Sequence, residues 1–258
     1  MKKISIETSS FSEIISHPSF YLAAIAAMFL GISKSGIKGI AALIVTLLVI
    51  SYGARASTGI IMPLLIVGDI FAIVYYNRFT QWSYILKMIP WTMAGVLLGV
   101  FYGYSINEES FRIGMAIIIL ISVIVMYYWD LQKNKKVPTH WSFAGLLGIT
   151  AGFTTMIGNL AGAFANIYFL AQKLPKNEFI GTAAWLFFII NIFKLPFHIL
   201  VWETINLNSI KISLTLIPVL LLGLLVGINL VKKIKENTYR KIILFFTALG
   251  AVIIFFNQ

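Results

Sequence analysis

Two lysines, one aspartate and three asparagines lie where a chain of this hydropathy offers little water to solvate them. Lys34 stands in the run Ser33-Lys34-Ser35-Gly36, Asp69 sits near the middle of one apolar stretch, and Asn191 and Lys194 sit near the middle of another. His198 extends the second set to i, i+3, i+7, a stripe of amide, cation and imidazole on one face of a helix. A lysine at the centre of a bilayer costs about 2.5 to 3.5 kcal/mol on insertion scales, so Lys34 calls for a compensating partner or a water-filled cavity. An anion would be such a partner. Serine hydroxyls, a glycine that admits close approach and free N–H groups at the start of a half-helix together bind oxyanions well. Lys34 and Lys38 could instead snorkel to an interface. Asp69 is then a counter-ion for Lys34 or Lys194, or a proton carrier if burial holds it neutral. A lysine-rich site favours the ionised counter-ion. Asn159 and Asn166, seven residues apart, would project from one helical face and offer amide donors to substrate oxygens or to freed backbone. His198, near the end of its span, reads as a structural residue outside the core of the site.

The elements that position these residues must be membrane helices. With 59% hydrophobic and 11% charged residues in 258, a soluble domain would expose large apolar patches, and the apolar runs are continuous for about 20 residues rather than alternating as in a barrel. The formal charge of +11 is carried largely in short loops beside those runs, which is the pattern of positive-inside topology and not of nucleic-acid binding. The chain has no cysteine, which excludes disulfides, thiol catalysis and cysteine-based metal sites, and His17, His140 and His198 have no metal-ligand spacing. No cofactor is expected. An enzyme is disfavoured, because H-E-x-x-H and G-x-S-x-G are absent and Asp69 is the one carboxylate well inside a span.

The spacing also points to a duplication. Asp69 follows Gly59 and Asn191 follows Gly181 by the same ten residues, an offset of 122, and the pattern P-x4-G-x3-G occurs at Pro90, Gly95 and Gly99 and again at Pro218, Gly223 and Gly227, an offset of 128. Six full spans are predicted at roughly 56–77, 83–104, 110–130, 178–202, 208–231 and 238–256. Two regions, 20–52 and 141–173, are apolar but broken, the first by Gly31, Ser33 to Gly36, Lys38 and Gly39, the second by Gly152, Thr154, Thr155, Gly158, Asn159 and Gly162. Each lies just before its Gly-x9-Asp/Asn span. Paired, glycine-interrupted segments in corresponding places are the best pointer in a sequence to a transport site, although glycines also serve simply to pack helices closely.

The basic connections at 77–87, 130–140, 173–178 and 231–241 read as cytoplasmic, and those at 105–112 and 203–211 as external. The loop after the Asp69 span is then inside and the loop after the Asn191 span outside, so the two halves are inverted, with each broken region entering and leaving on one side. Arg55 and the Lys2-Lys3 pair argue mildly against this arrangement. The predicted fold class is an all-α integral membrane protein, an inverted repeat of two halves with about 8 transmembrane segments, six full spans plus two broken or re-entrant regions. Its organisation is an N-terminal interfacial segment over 1–19, a first membrane repeat over 20–130, a cytoplasmic basic linker over 131–140 and a second repeat over 141–258. Residues 1–19 are too polar for a typical cleaved signal peptide. Ser10 with Glu13, and the shared face of Phe11, Ile14 and Ile15, predict a short interfacial helix there.

Phe29-Leu-Gly-Ile-Ser-Lys-Ser-Gly-Ile-Lys-Gly39, Gly59 through Asp69, Gly152-Phe-Thr-Thr-Met-Ile-Gly-Asn-Leu-Ala-Gly162, Leu174 through Trp185 and Asn191-Ile-Phe-Lys-Leu-Pro196 together resemble the TauE/SafE family of sulfite-exporter-type membrane permeases, over nearly the whole chain. The resemblance implies a multi-pass protein of the inner cell membrane that moves a small sulfur-containing anion such as sulfite or an organosulfonate. It carries Ser33, Lys34, Ser35 and Gly36 over to the first signature and Asn159, Gly162, Thr182, Asn191 and Lys194 to the second. Ala163 departs from the family pattern, which often has proline there. The expected partners are a small anion, with or without coupled protons, and membrane lipid. The competing readings are an anion channel, which needs no pair of alternating gates, and a transporter of an unrelated small carboxylate.

Overall fold

The computed structural model describes residues 11–37, 40–131, 141–235 and 238. The described residues form helices α1 (Phe11–Ser16), α2 (Pro18–Lys34), α3 (Ala41–Tyr52), α4 (Ala54–Tyr76), α5 (Trp82–Tyr104), α6 (Glu108–Leu131), α7 (Trp141–Gly158), α8 (Ala161–Ala171), α9 (Lys176–Leu200) and α10 (Leu207–Lys233), with no strand among them. Among the described residues, five segments are long and apolar enough to cross a membrane: Ala54–Phe79, Trp82–Tyr104, Trp141–Gly158, Lys176–Leu200 and Leu207–Lys233. Side chains such as Val74, 80% exposed, and Phe101, 73% exposed, put a large apolar surface on the outside that lipid can cover and water cannot. The chain is therefore an all-helical, multi-pass membrane protein.

The expected spans at 56–77, 83–104, 110–130, 178–202 and 208–231 correspond to α4, α5, α6, α9 and α10 within a few residues. The sixth, at 238–256, lies outside the described residues apart from Thr238, as do positions 132–140 of the basic linker. In the first broken region neither piece, α2 of 17 residues nor α3 of 12, qualifies as a full span. The second region is less symmetric than expected, because α7 alone, with 18 residues, is long enough to cross and only α8 is short. Position 152 remains helical within α7, so that break begins only at Gly158 and Asn159.

Glycines decide which helices touch. In α5, Gly95 and Gly99 lie against α7, where an added Cβ at Gly95 would overlap the carbonyl oxygen of Ile149 and one at Gly99 would come within 2.7 Å of Met156 Cβ. In α10, Gly223 and Gly227 lie in the same way against Met28 and Ile32 of α2 and Ser35 at its end. The partners return the fit: Gly152 of α7 abuts Thr92 of α5, and Gly31 of α2 abuts Leu220 of α10. The two P-x4-G-x3-G motifs are thus intrachain packing faces, each clasping the broken region of the other half of the chain. Two apolar cores result. One contains Val96, Ala151, Met156 and Phe169, the other Ala26, Leu48, Met62 and Leu216. The contact between α4 and α9 joins them.

Short-range chemistry fixes the helix ends. The Glu108 carboxylate, through Oε1, accepts from the N–H groups of Ala54 (3.0 Å) and Arg55 (3.2 Å) and so caps the start of α4 from the first residue of α6. Arg55 donates to the carbonyls of Gly103 and Ile106 and stacks over Phe111, which pins this end of α4 to the α5–α6 connection. Asn206 and Ser209 form a capping box on α10. The N-terminal helix α1 is short, with Phe11 and Ile15 about half exposed and Ile14 buried; Ser10 of the expected capping box lies outside the described residues.

Candidate functional site

Both breaks are made by residues that tolerate the left-handed region of backbone space. Gly36, at φ +132°, turns the chain out of α2 two residues after Lys34, and Asn159, at φ +57°, turns it out of α7. Lys34 is consequently the last residue of α2, and Asn159 hangs in the gap between α7 and α8. The long helices α4 and α9 carry Asp69, Asn191 and Lys194 into the space beside these gaps.

The side chains meet there, all buried within the protein except half-buried Asn159. Lys34 Nζ donates to Asp69 Oδ1 at 2.5 Å, and Asn191 Nδ2 donates to Asp69 Oδ2 at 2.7 Å. Gly68 makes room for the lysine stem, since a Cβ there would lie 2.8 Å from Lys34 Cγ. Lys194 is fully buried and donates to Asn159 Oδ1 (2.6 Å), the Thr155 carbonyl (3.1 Å) and Thr155 Oγ1 (3.2 Å). These three acceptors are neutral, and among the described residues no carboxylate lies within ion-pairing distance of it. Two ammonium groups and one carboxylate leave the cluster formally one charge positive, in surroundings where an unpaired charge is costly.

Of the two roles open to Asp69, the geometry gives it the counter-ion position beside Lys34, with Lys194 left to neutral ligands. Asn159 and Asn166 do not share a helical face as the seven-residue spacing suggested, because Asn159 is in the gap and Asn166 is in the second turn of α8. Asn191, Lys194 and His198 do form a buried stripe on α9. His198 Nδ1 lies 2.8 Å from Thr204 Oγ1 and its ring packs edge-on to Trp202, outside the lysine cluster.

Several expected site residues stand elsewhere. Thr182 Oγ1 accepts the Gln81 N–H at 3.0 Å, at the α4–α5 connection beside the Trp185 to Asn77 hydrogen bond. Ser35 turns its hydroxyl to the Ile32 carbonyl and packs on Gly227, while its own carbonyl accepts from Tyr76 Oη. Gly36 faces Ile180 and Val231, and Ser33 is half-buried near the end of α2. Gly162 lies in the first turn of α8, where an added Cβ would meet nothing closer than Asn166 Nδ2 at 3.6 Å.

Sequence reasoning missed Thr155 as a ligand and Phe187, whose ring centroid lies 5.5 Å from Lys34 Nζ. A signal for Thr155 was present: it follows Gly152 by three residues as Lys34 follows Gly31. A cleft of about 510 Å³ opens at the far end of α4 and α9, lined by Arg55, Glu108, Trp202, Glu203 and Thr204 among others.

The arrangement can do one thing readily. Two lysines, three amides and a half-helix start, all but half-buried Asn159 withdrawn from water, can exchange their internal partners for the oxygens of a small anion. Neither the curated proteins nor the solved structures contain a match to this chain. The family model described as sulfite exporter TauE/SafE matches residues 23–254, almost the full length, and the chain belongs to that family of membrane permeases.

Proposed function

We propose that this protein is a secondary transporter that carries a small sulfur-containing anion, sulfite or an organosulfonate, across the inner membrane by alternating access. The observation that carries the reading is Lys194, a fully buried amine held by neutral acceptors beside the Lys34–Asp69 pair. Membership of a sulfite exporter family supports the choice of anion. Substrate contact is assigned to Lys34, Asn159, Gly162, Asn166, Asn191 and Lys194, with Asp69 as the charge partner released when an anion enters. Ser33, Ser35, Gly36 and Thr182 serve by shaping the break and its neighbours.

The mechanism is an inverted repeat of two halves, 20–130 and 141–258, with about 8 transmembrane segments, a cytoplasmic linker at 131–140 and an interfacial segment at 1–19. Two observations support it. The packing of α5 on α7 is answered by that of α10 on α2, and glycine contacts pair at matching positions, Gly152 with Thr92 and Gly31 with Leu220. Arg55 ceases to count against the orientation, because its guanidinium is tied to the carbonyls of Gly103 and Ile106 and lies 3.8 Å from Glu108. Rocking of the halves about the α4–α9 contact would expose the cluster to each side in turn. The chain contains no cysteine, so single cysteines report topology cleanly. Arg78→Cys, after α4, is expected to react with a membrane-impermeant thiol reagent only from inside, and Leu207→Cys, after α9, only from outside. Labelling of both from one side would sink the inversion.

The transport reading is tested by counterflow in proteoliposomes. Internal sulfite should accelerate entry of labelled external sulfite, and Lys194→Met should reduce that exchange at least 100-fold. Exchange without acceleration, accompanied by large unitary currents, would identify a channel instead. Counterflow with small carboxylates but not with sulfur oxyanions would replace the substrate class.

A further inference from the structure

The ligands of Lys194 suit an amine as well as an ammonium. Its Nζ lies 2.6 Å from Asn159 Oδ1, 3.1 Å from the Thr155 carbonyl oxygen and 3.2 Å from Thr155 Oγ1. The first two oxygens only accept, and they match the two N–H groups of a neutral amine. The third belongs to a hydroxyl, which accepts from a third N–H or donates to the lone pair that replaces it. Among the described residues that hydroxyl makes no other hydrogen bond. A proton can therefore join or leave Nζ with every hydrogen bond kept, at the cost of one hydroxyl rotation. Lys34 has no such latitude, since its partner is a carboxylate oxygen of Asp69 with no hydrogen to give.

Charge decides when each state is occupied. The charged groups that act on Lys194 are Lys34 of α2 and Asp69 of α4, which cancel each other. The surplus positive charge of the cluster thus belongs to Lys194 and disappears when Nζ is an amine. With a monoanion inside, the cluster is neutral only when Nζ is an ammonium. Unbalanced charge is costly at this depth, so anion and proton enter together. Thr155 and Asn159, brought by α7 and the gap after it, do not titrate, and α5 and α8 bring no charged group to Nζ among the described residues. His198, one turn further along α9, is engaged by Thr204 and Trp202 instead. We propose that Lys194 is the coupling group of the carrier, an amine in the empty protein that takes one proton for each monoanion loaded and gives it up with the anion on the other side. This rests on the anion-transport reading and adds the coupling ion, its stoichiometry and the residue that holds it. The proton comes from water on the side the anion enters and passes to the Nζ lone pair, and no bond to the anion forms. Anion and proton cross as a neutral pair and the empty carrier returns uncharged, so the pH gradient drives the cycle and the membrane potential does not.

Uptake of labelled methanesulfonate into proteoliposomes tests the proposal, because this anion keeps a single charge near neutral pH and brings no proton of its own. With the wild type, an exterior one pH unit more acid than the lumen should hold about a 10-fold accumulation, the value for one proton per anion. An inside-positive potassium diffusion potential at equal pH should leave uptake unchanged within about 2-fold. Lys194→Arg, whose guanidinium stays protonated, should reverse the pattern, with uptake that follows the potential and ignores the pH gradient. The small uptake left in Lys194→Met should be equally blind to the pH gradient, which keeps the assignment testable if the arginine does not fit. His198→Gln should respond as the wild type does. Wild-type accumulation that follows the potential and not the pH gradient would overturn the coupling role while leaving anion transport standing. So would a pH response that survives in Lys194→Arg or Lys194→Met, or one that is lost in His198→Gln. No wild-type uptake of methanesulfonate or of sulfite under either gradient would overturn both.

Discussion

Asp69→Leu should lower the unfolding free energy of the detergent-solubilised protein by about 3 to 5 kcal/mol, because it strands the Lys34 ammonium without its carboxylate. Lys34→Met should do the same from the other side, leaving Asp69 with the Asn191 amide as its side-chain donor among the described residues. The informative variant is the double one. With both charges gone, Lys34→Met/Asp69→Leu should recover most of the loss, since an apolar pair of similar volume often replaces a buried ion pair at no cost. Recovery should fall short by about 1 to 3 kcal/mol, the cost of the Asn191 amide left unpaired. Counterflow should be absent in all three. Chemical denaturation monitored by tryptophan fluorescence gives the stabilities. A double variant as unstable as the singles would mean that the stranded charge is not what destabilises them. A double variant that still transports would remove Lys34 and Asp69 from the substrate path.

The second large effect belongs to the clasped glycines. Gly31→Ala and Gly152→Ala each drive a methyl group into a carbonyl oxygen of the facing helix, at Leu220 and Thr92. Backbone cannot swing aside as a side chain can, so the whole helix pair must separate along its length. Overpacking typically costs about 1 to 3 kcal/mol and more where the obstacle is rigid, and both variants are expected to yield little folded protein. Gly162→Ala is the control, since its new methyl meets nothing closer than 3.6 Å and should change stability by no more than about 0.5 kcal/mol. Size-exclusion profiles of the three variants, purified in parallel, measure this directly. Monodisperse Gly31→Ala at wild-type yield would mean that α2 and α10 pack less closely than the glycine fit requires.

How much of this was legible beforehand follows from the range of each signal. Hydropathy is local and continuous, so α4, α5, α9 and α10 could be placed within a few residues. The breaks were visible because Gly36 and Asn159 are types that the left-handed backbone selects. The contact between Lys34 and Asp69 spans 35 residues and that between Asn191 and Asp69 spans 122, distances at which composition says only that partners are needed. The type of group was readable and Lys34 was one of two lysines open to Asp69, but which of the two it pairs with, and that Asn191 joins it, was not. Thr182 shows the opposite failure. It fell within a matching motif, yet its hydroxyl serves the Gln81 backbone, a role that depends on how a loop from the other half arrives. Thr155 went unassigned because a threonine in an apolar helix normally bonds to its own backbone. Here a buried ammonium from α9 takes up both its carbonyl and its hydroxyl.

The exchange of partners between α2 with α10 and α5 with α7 also bears on how the chain is made. As synthesis proceeds, α2 enters the membrane with its glycine face uncovered and stays so until α10 has been synthesised, nearly the whole protein later. Likewise α5 waits for α7. Neither glycine face meets its final partner within its own half, so a truncated product ending before α10 would leave the glycine face of α2 uncovered. Commitment to the native assembly therefore comes late and all at once, and the same clasp that makes assembly late makes separation of the finished halves a cooperative event.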